Sequence, residues 1–386
     1  MNLYPFALQS KLPHIGTTIF TVMSSLANEY KAINLSQGFP DFEVDEQLVA
    51  LIHQYFRKGF NQYAPMAGIL CLREAIAEKC QYVYGASINP ETEITITSGA
   101  TEAIFSTITA IIHPTDEVII FEPAYDCYAP AIQLCGGIPV YIQLKAPNFA
   151  VDWETVKKYI TEKTRMIIIN TPHNPTGSIL TADDMIQLQK LIASTNIILL
   201  SDEVYEHIIF DHATHESVLK YPKLAERSFV VFSFGKIFHA TGWKIGYAIA
   251  PENLMKEFRK VHQFNVFSTN TPTQYALADY LKDRTNYLGL SNFYETKRNY
   301  FLDILKNVPF KYTPTKGSYF QCVDYSKISN KTDKAFTIQL TKETGIAAIP
   351  VSAFYHNTTD CTLVRFCFAK NQQTLEQTAE RLMQLA

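Results

Sequence analysis

The alternation of apolar and polar positions divides the chain into a long stretch in which strand and helix periods take turns and a closing stretch of different character. Glu93 to Thr97 alternates as a strand, and Ser98-Gly99-Ala100-Thr101-Glu102 then opens a helix running towards Ile112. Val118 to Phe121, Arg165 to Asn170, Ile197 to Leu200, Phe229 to Phe232 and Ile245 to Ala250 are short β-branched and aromatic runs with little polar interruption. Such runs suit strands covered on both faces. Helical spacing occupies Ala182 to Ala193. The alternation over residues 95–250 predicts a mostly parallel sheet with helices on both faces.

Outside that stretch the pattern changes. Residues 1–33 read as an irregular arm followed by a short helix, and Ile33 to Phe42 as a turn-rich loop. Val44 to Lys58, stopped by Gly59, and Leu70 to Tyr84 read as helices. A long helical region at 252–306 leads to strands at Ser318 to Val323 and Thr362 to Phe368, with helical spacing at 333–343 between them. The expected division is an arm and part of a smaller unit over 1–33, a large domain over 34–280 and a small α+β domain over 281–386. A chain of 386 residues has room for about two such cores.

Composition narrows the function classes. The 34 basic and 37 acidic side chains leave a formal charge of −3, which favours neither nucleic acid nor an anionic membrane as a partner. The seven cysteines are odd in number and form no C-x-x-C pair, so neither a disulfide framework nor a zinc site is expected. No apolar run reaches the roughly 18 residues a membrane span needs, and the Met-Asn-Leu-Tyr start has no basic region before an apolar core. The expectation is a soluble cytoplasmic protein without a metal.

Candidate chemistry gathers where the apolar runs stop. In open α/β sheets ligands bind outside the carboxyl ends of strands. Phe229 to Phe232 ends in Ser233, Gly235 and Lys236, and Ile197 to Leu200 ends in Ser201-Asp202-Glu203-Val204-Tyr205. A lysine able to form an imine and a carboxylate able to hold a pyridinium nitrogen are the pairing a pyridoxal phosphate site requires. The Thr97 strand end, the glycine and the fresh helix at Gly99-Ala100-Thr101 make an anion site. Tyr125 and Tyr128 follow another strand end, where an aromatic can stack on a flat ring or simply belong to the core. Asn174 sits in a turn fixed by two prolines and Gly177. Gly38 permits close backbone approach to a ligand, although Gly-Phe-Pro-Asp is also ordinary turn chemistry.

Asn174-Pro-Thr-Gly177, Ser201-Asp202-Glu-Val-Tyr205, Ser233-Phe-Gly-Lys236, Thr241-Gly-Trp-Lys-Ile-Gly246 and Leu363-Val-Arg365-Phe, in this order and spacing, resemble the class I pyridoxal-phosphate aminotransferases. The resemblance spans essentially the whole chain. Leu35-Ser-Gln-Gly-Phe-Pro-Asp-Phe42 and Asn61-Gln-Tyr-Ala-Pro65 are most similar to the kynurenine and glutamine aminotransferase branch, and within it to bacterial methionine aminotransferases. The resemblance implies fold type I, a seven-stranded mostly parallel sheet flanked by helices with a smaller α+β domain.

It also implies roles. Lys236 would carry pyridoxal 5'-phosphate and act as the base, and Asp202 would keep the ring nitrogen protonated. Asn174 and Tyr205 would hold the phenolic oxygen, and Tyr125 would stack on the ring. Gly99, Ala100, Thr101, Ser233 and Lys244 would hold the phosphate. Arg365, helped by Gly38, would grip the substrate α-carboxylate, and Phe20 would line an apolar or aromatic pocket. Tyr63 would reach the phosphate of a neighbouring subunit, which implies a homodimer with sites at the interface. Gly235 and Lys244 stand where many members of the class carry serine and arginine, a departure shared by the kynurenine-type branch. The function implied is transfer of the amino group of a neutral amino acid to a 2-oxo acid. A carbon–sulfur β-lyase is the alternative on the same scaffold. A ligand-responsive regulator is the other, although no basic helix-turn-helix precedes the enzyme-like segment.

Overall fold

The computed structural model describes residues 5–357 and 360–385; the first four residues of the expected arm lie outside these. Its centre is a seven-stranded sheet, in spatial order Ile94–Thr97, Gly246–Ile249, Ser228–Ser233, Ile198–Asp202, Thr164–Asn170, Glu117–Glu122 and Ile138–Gln143. Every neighbouring pair is parallel except the two made by Gly246–Ile249, which runs against both its neighbours. The apolar runs alternate in destination even though they show no polar alternation. Ile119, Ile167, Leu199 and Val230 pack into one core, while Val118, Ile168, Leu200 and Val231 pack into another. Helices cover both faces, so both residue parities must be apolar.

The sequence pattern missed the edge strand Ile138–Gln143, in which a proline and several half-buried positions blur the β signal. It also missed the short helices Tyr128–Leu134 and Trp153–Tyr159, each only two turns long. The long helical region after Pro251 is broken into Glu252–Asn265, Thr271–Tyr280, Thr285–Leu288 and Leu290–Leu305. The second of these starts where Asn270 caps the backbone N–H of Thr273 and Pro272 occupies the first turn.

Towards the carboxyl end, Phe320–Asp324, Leu363–Cys367 and Ile349–Pro350 form an antiparallel sheet with Leu363–Cys367 in the middle. Near the amino end, Ile33–Asn34 pairs in parallel with Ile346–Ala347. The segment before the large sheet is therefore hydrogen-bonded to the carboxyl-terminal region. Among the described residues no helix is long and apolar enough to cross a membrane, no group of side chains could hold a metal ion, and all seven cysteines are free.

Candidate active site

The Ser228–Ser233 strand reaches the sheet rim and the chain turns at once into a one-turn helix, Phe234–Ile237, which carries Lys236. The amine is held from two sides. Its Nζ donates to the Gly38 carbonyl at 3.1 Å and to the Tyr319 hydroxyl at 2.9 Å, and it faces the Tyr205 ring at 5.7 Å. Desolvation lowers its pKa to about 8; Arg365 and Lys244 push the same way, opposed by Cys367 and Asp202. At that value a useful fraction is the free, nucleophilic amine near neutral pH.

On the adjacent strand, Asp202 ends Ile198–Asp202 and is buried. The Tyr128 hydroxyl donates to its Oδ2 at 2.6 Å, and the Val204 N–H approaches Oδ1 at 3.4 Å. Burial outweighs these bonds and raises the carboxyl pKa to about 6. A bound cation would restore full ionisation. One strand further on, Asn170 donates to the Asp202 carbonyl at 2.9 Å and accepts from the Asn174 backbone N–H at 2.8 Å, so the rim fixes Asn174 in turn.

The smaller sheet supplies Arg365, opposite Cys322 on one neighbour and Ile349 on the other. It is 1% exposed, yet no carboxylate among the described residues pairs with it. Nη1 donates to Asn174 Oδ1 at 2.7 Å and Nη2 to the Ser36 carbonyl at 2.8 Å. Its plane lies over Phe320 at 3.9 Å, with Phe354 and Phe20 at 5.1 and 5.5 Å. Nε has no hydrogen-bond partner. A buried guanidinium with a spare donor and no counter-charge is a costly arrangement, and an anionic ligand would relieve it.

A second anion site faces this one. The Gly99–Ile111 helix begins without a side-chain cap, leaving its first N–H groups free for a ligand. Gly99 has φ +74°, and a Cβ there would come within 3.1 Å of Lys244 Nζ. Gly246 lets the reversed strand pass beside this turn, since a Cβ on it would stand 3.0 Å from the Ala100 nitrogen and 2.6 Å from the Phe232 carbonyl. Thr101 Oγ1 meets the Tyr125 hydroxyl at 3.2 Å, and the Tyr125 ring packs edge-on against Tyr128.

These groups line one cavity of about 290 Å³. Phe20, Gly38, Gly99, Ala100, Thr101, Tyr125, Asn174, Asp202, Tyr205, Ser233, Lys236, Lys244 and Arg365 all contribute to its wall. Tyr63 does not. It lies outside the cavity, 84% exposed, with its ring against Phe267. The sequence reading left out Tyr319 and Asn170, and gave Tyr128 no role beyond its ring. Each acts through a hydrogen bond to a named site residue from a distant segment, and no local motif marks such bonds.

The cavity thus offers an uncapped helix N-terminus with Lys244 for a dianionic group, a carboxylate for a cationic ring nitrogen, and a depressed-pKa amine for an aldehyde. The Gly99 turn and the Arg365 guanidinium, which no described carboxylate pairs, suit two anions, and the residues present fit pyridoxal phosphate together with an α-amino acid. The family model for aminotransferase class I and II matches residues 30–382. The chain is 48% identical over 382 residues to the methionine aminotransferase of Escherichia coli (strain K12), covering 99% of each chain. It is 32% identical to kynurenine–oxoglutarate transaminase 1 of Rattus norvegicus, covering 96% of each. A crystal structure from Escherichia coli described as having methionine aminotransferase function superimposes with a TM-score of 0.97 at 48% identity, covering 98% of this chain and 100% of that one. A cavity built for a tethered aldehyde coenzyme and an amino acid, on a chain matched end to end, makes this protein a member of the class I and II aminotransferases, pyridoxal-phosphate enzymes that pass an amino group between amino acids and 2-oxo acids.

Proposed function

We propose that the amino donor is a neutral amino acid, with methionine, glutamine or an aromatic amino acid as candidates, and that a 2-oxo acid accepts the amino group in a second half-reaction. The observation that carries this reading is Arg365, which is buried, unpaired by any described carboxylate, left without a partner at Nε, and part of the wall of the cavity that holds Lys236. It can take an α-carboxylate as a directional pair. The apolar rings of Phe20 and Phe320 beside it suit an uncharged side chain.

Bound at the rim, pyridoxal phosphate supplies an electron sink for the pair left when Cα loses its proton. The residues do the rest. Lys236 tethers the coenzyme and, once released, moves the proton at Cα, a general acid–base contribution of about 10² to 10⁴ in rate. Asp202, held by Tyr128, keeps the ring nitrogen protonated. Asn174 and Tyr205 bind the phenolic oxygen, Tyr125 covers a ring face, and Gly99, Ala100, Thr101, Ser233 and Lys244 hold the phosphate. Gly38 helps to orient the substrate beside Arg365. Tyr63, turned outward here, is assigned to the phosphate of a neighbouring subunit in a cytoplasmic homodimer, and the large and small domains are assigned to 34–280 and 281–386.

The test is a half-reaction. Methionine or glutamine added to the coenzyme-loaded protein should bleach its long-wavelength absorption and release a 2-oxo acid, and a second 2-oxo acid should restore the band. Unchanged turnover in Lys236→Ala, or ammonia and pyruvate from cystathionine formed faster than any transamination, would overturn the reading.

A further inference from the structure

Three cations line the cavity, Lys236, Lys244 and Arg365, and the reading above uses all of them for the coenzyme and the α-carboxylate. The wall also holds a second carboxylate besides Asp202. Asp126 follows Tyr125 in the loop between the Glu117–Glu122 strand and the Tyr128–Leu134 helix, and it stands at the exposed mouth of the cavity. No other side chain among the described residues donates to it in a hydrogen bond or pairs with it as an ion. Desolvation raises its pKa, its own backbone N–H opposes the rise, and Arg365 is the charged group acting with that N–H. Asp126 and Arg365 line the same cavity, Asp126 from an exposed position and Arg365 from a buried one, so a donor gripped by Arg365 shares that cavity with the Asp126 carboxylate.

We propose that Asp126 is a specificity-determining residue that rejects amino donors whose side chain bears a carboxylate. A glutamate or aspartate held by its α-carboxylate would bring its second negative charge to a wall with no unassigned cation and with a like charge already on it. Glutamine has nearly the same shape and meets no such repulsion. Discrimination of this kind comes from a repulsive element rather than from an added attraction, and like charges facing one another suppress the wrong partner. The inference rests on the neutral-donor reading and adds to it the residue that enforces the choice.

The experiment measures kcat/KM for glutamine and glutamate, an isosteric pair, with the full-length coenzyme-loaded protein and with Asp126→Asn and Asp126→Glu. The expected result is that the glutamine-to-glutamate ratio falls by at least about tenfold in Asp126→Asn and stays near the parent value in Asp126→Glu. The coenzyme absorption band and thermal unfolding establish that each variant is folded. An unchanged ratio in Asp126→Asn, or an equal change in KM for both donors, would overturn the proposal, because the second pattern belongs to a mere counter-ion of Arg365. A parent protein that turns over neither glutamine nor methionine would overturn the functional reading itself, and the two failures are separable.

Discussion

Replacing Asp202 by asparagine should strengthen the coenzyme-free protein while weakening its hold on the coenzyme. Asparagine keeps the shape and can still accept from the Tyr128 hydroxyl, which lies 2.6 Å from Oδ2 in the parent. What it removes is an ionisable group whose carboxyl is raised by burial from 3.8 to about 6. A carboxyl with a folded pKa above its unfolded one favours the fold below the unfolded value and loses that contribution as pH climbs through the folded value. The parent thus carries an ionised, poorly solvated carboxylate above pH 6, at a cost of about 3 kcal/mol for a shift of about two units. The stability gap between variant and parent should be about 1.5 kcal/mol at pH 5 and widen to about 3 kcal/mol by pH 8. Urea unfolding of both coenzyme-free proteins across that range measures it. Coenzyme titration of the same samples should show the opposite ranking, with the parent binding more tightly because its carboxylate meets a cationic ring nitrogen. A gap that is absent, that narrows with rising pH, or that favours the parent would refute the assignment of a strained buried carboxylate.

Other predictions follow from the same geometry. The Lys236 ammonium, lowered to about 8, must lose its proton to attack an aldehyde, so covalent capture of pyridoxal phosphate by the coenzyme-free protein should slow about tenfold per pH unit below that value; stopped-flow absorbance measures it. Arg365→Lys keeps a charge but loses the planar fork that bonds Asn174 and Ser36, and should raise KM for methionine roughly 30-fold, about 2 kcal/mol, in steady-state assays. Gly99→Ala should weaken coenzyme binding roughly tenfold in equilibrium titration, because a left-handed non-glycine residue costs about 1 kcal/mol or more and the new methyl meets Lys244.

The residues differ in how far a one-dimensional reading could place them. Lys236 and Asp202 were legible because each lies within four residues of the end of an apolar run, and a run buried on both faces has a sharply defined end; Asn174 was legible in a turn fixed by two prolines and Gly177. Gly99 was legible because a strand, a glycine and a helix start are contiguous. The Ile138–Gln143 strand was not, since Ile138 is exposed and Pro139 interrupts its β pattern. Tyr319 is 83 residues from Lys236 and Tyr128 is 74 from Asp202. Bonds across such separations depend on how two sheets and their loops pack, which no local period encodes. Arg365 was placed by likeness of motif alone, and its lack of a counter-charge emerges only in three dimensions. Asp126 carries no signature at all, since an aspartate after a tyrosine is unremarkable until a cavity wall contains it.

The single reversed strand, Gly246–Ile249, has a consequence for how this scaffold can be rewired. At four residues it spans about 13 Å. The strands on either side of it deliver outgoing loops to the rim, whereas this strand receives an incoming one, and Lys244 lies on that incoming segment two residues before the ladder pair of Gly246 with Ser233. A redesign that threaded the same segment in the common direction would carry that lysine to the far edge of the sheet, out of reach of Gly99. Shuffling of the connections is therefore tolerable only where it preserves this one opposed direction of travel.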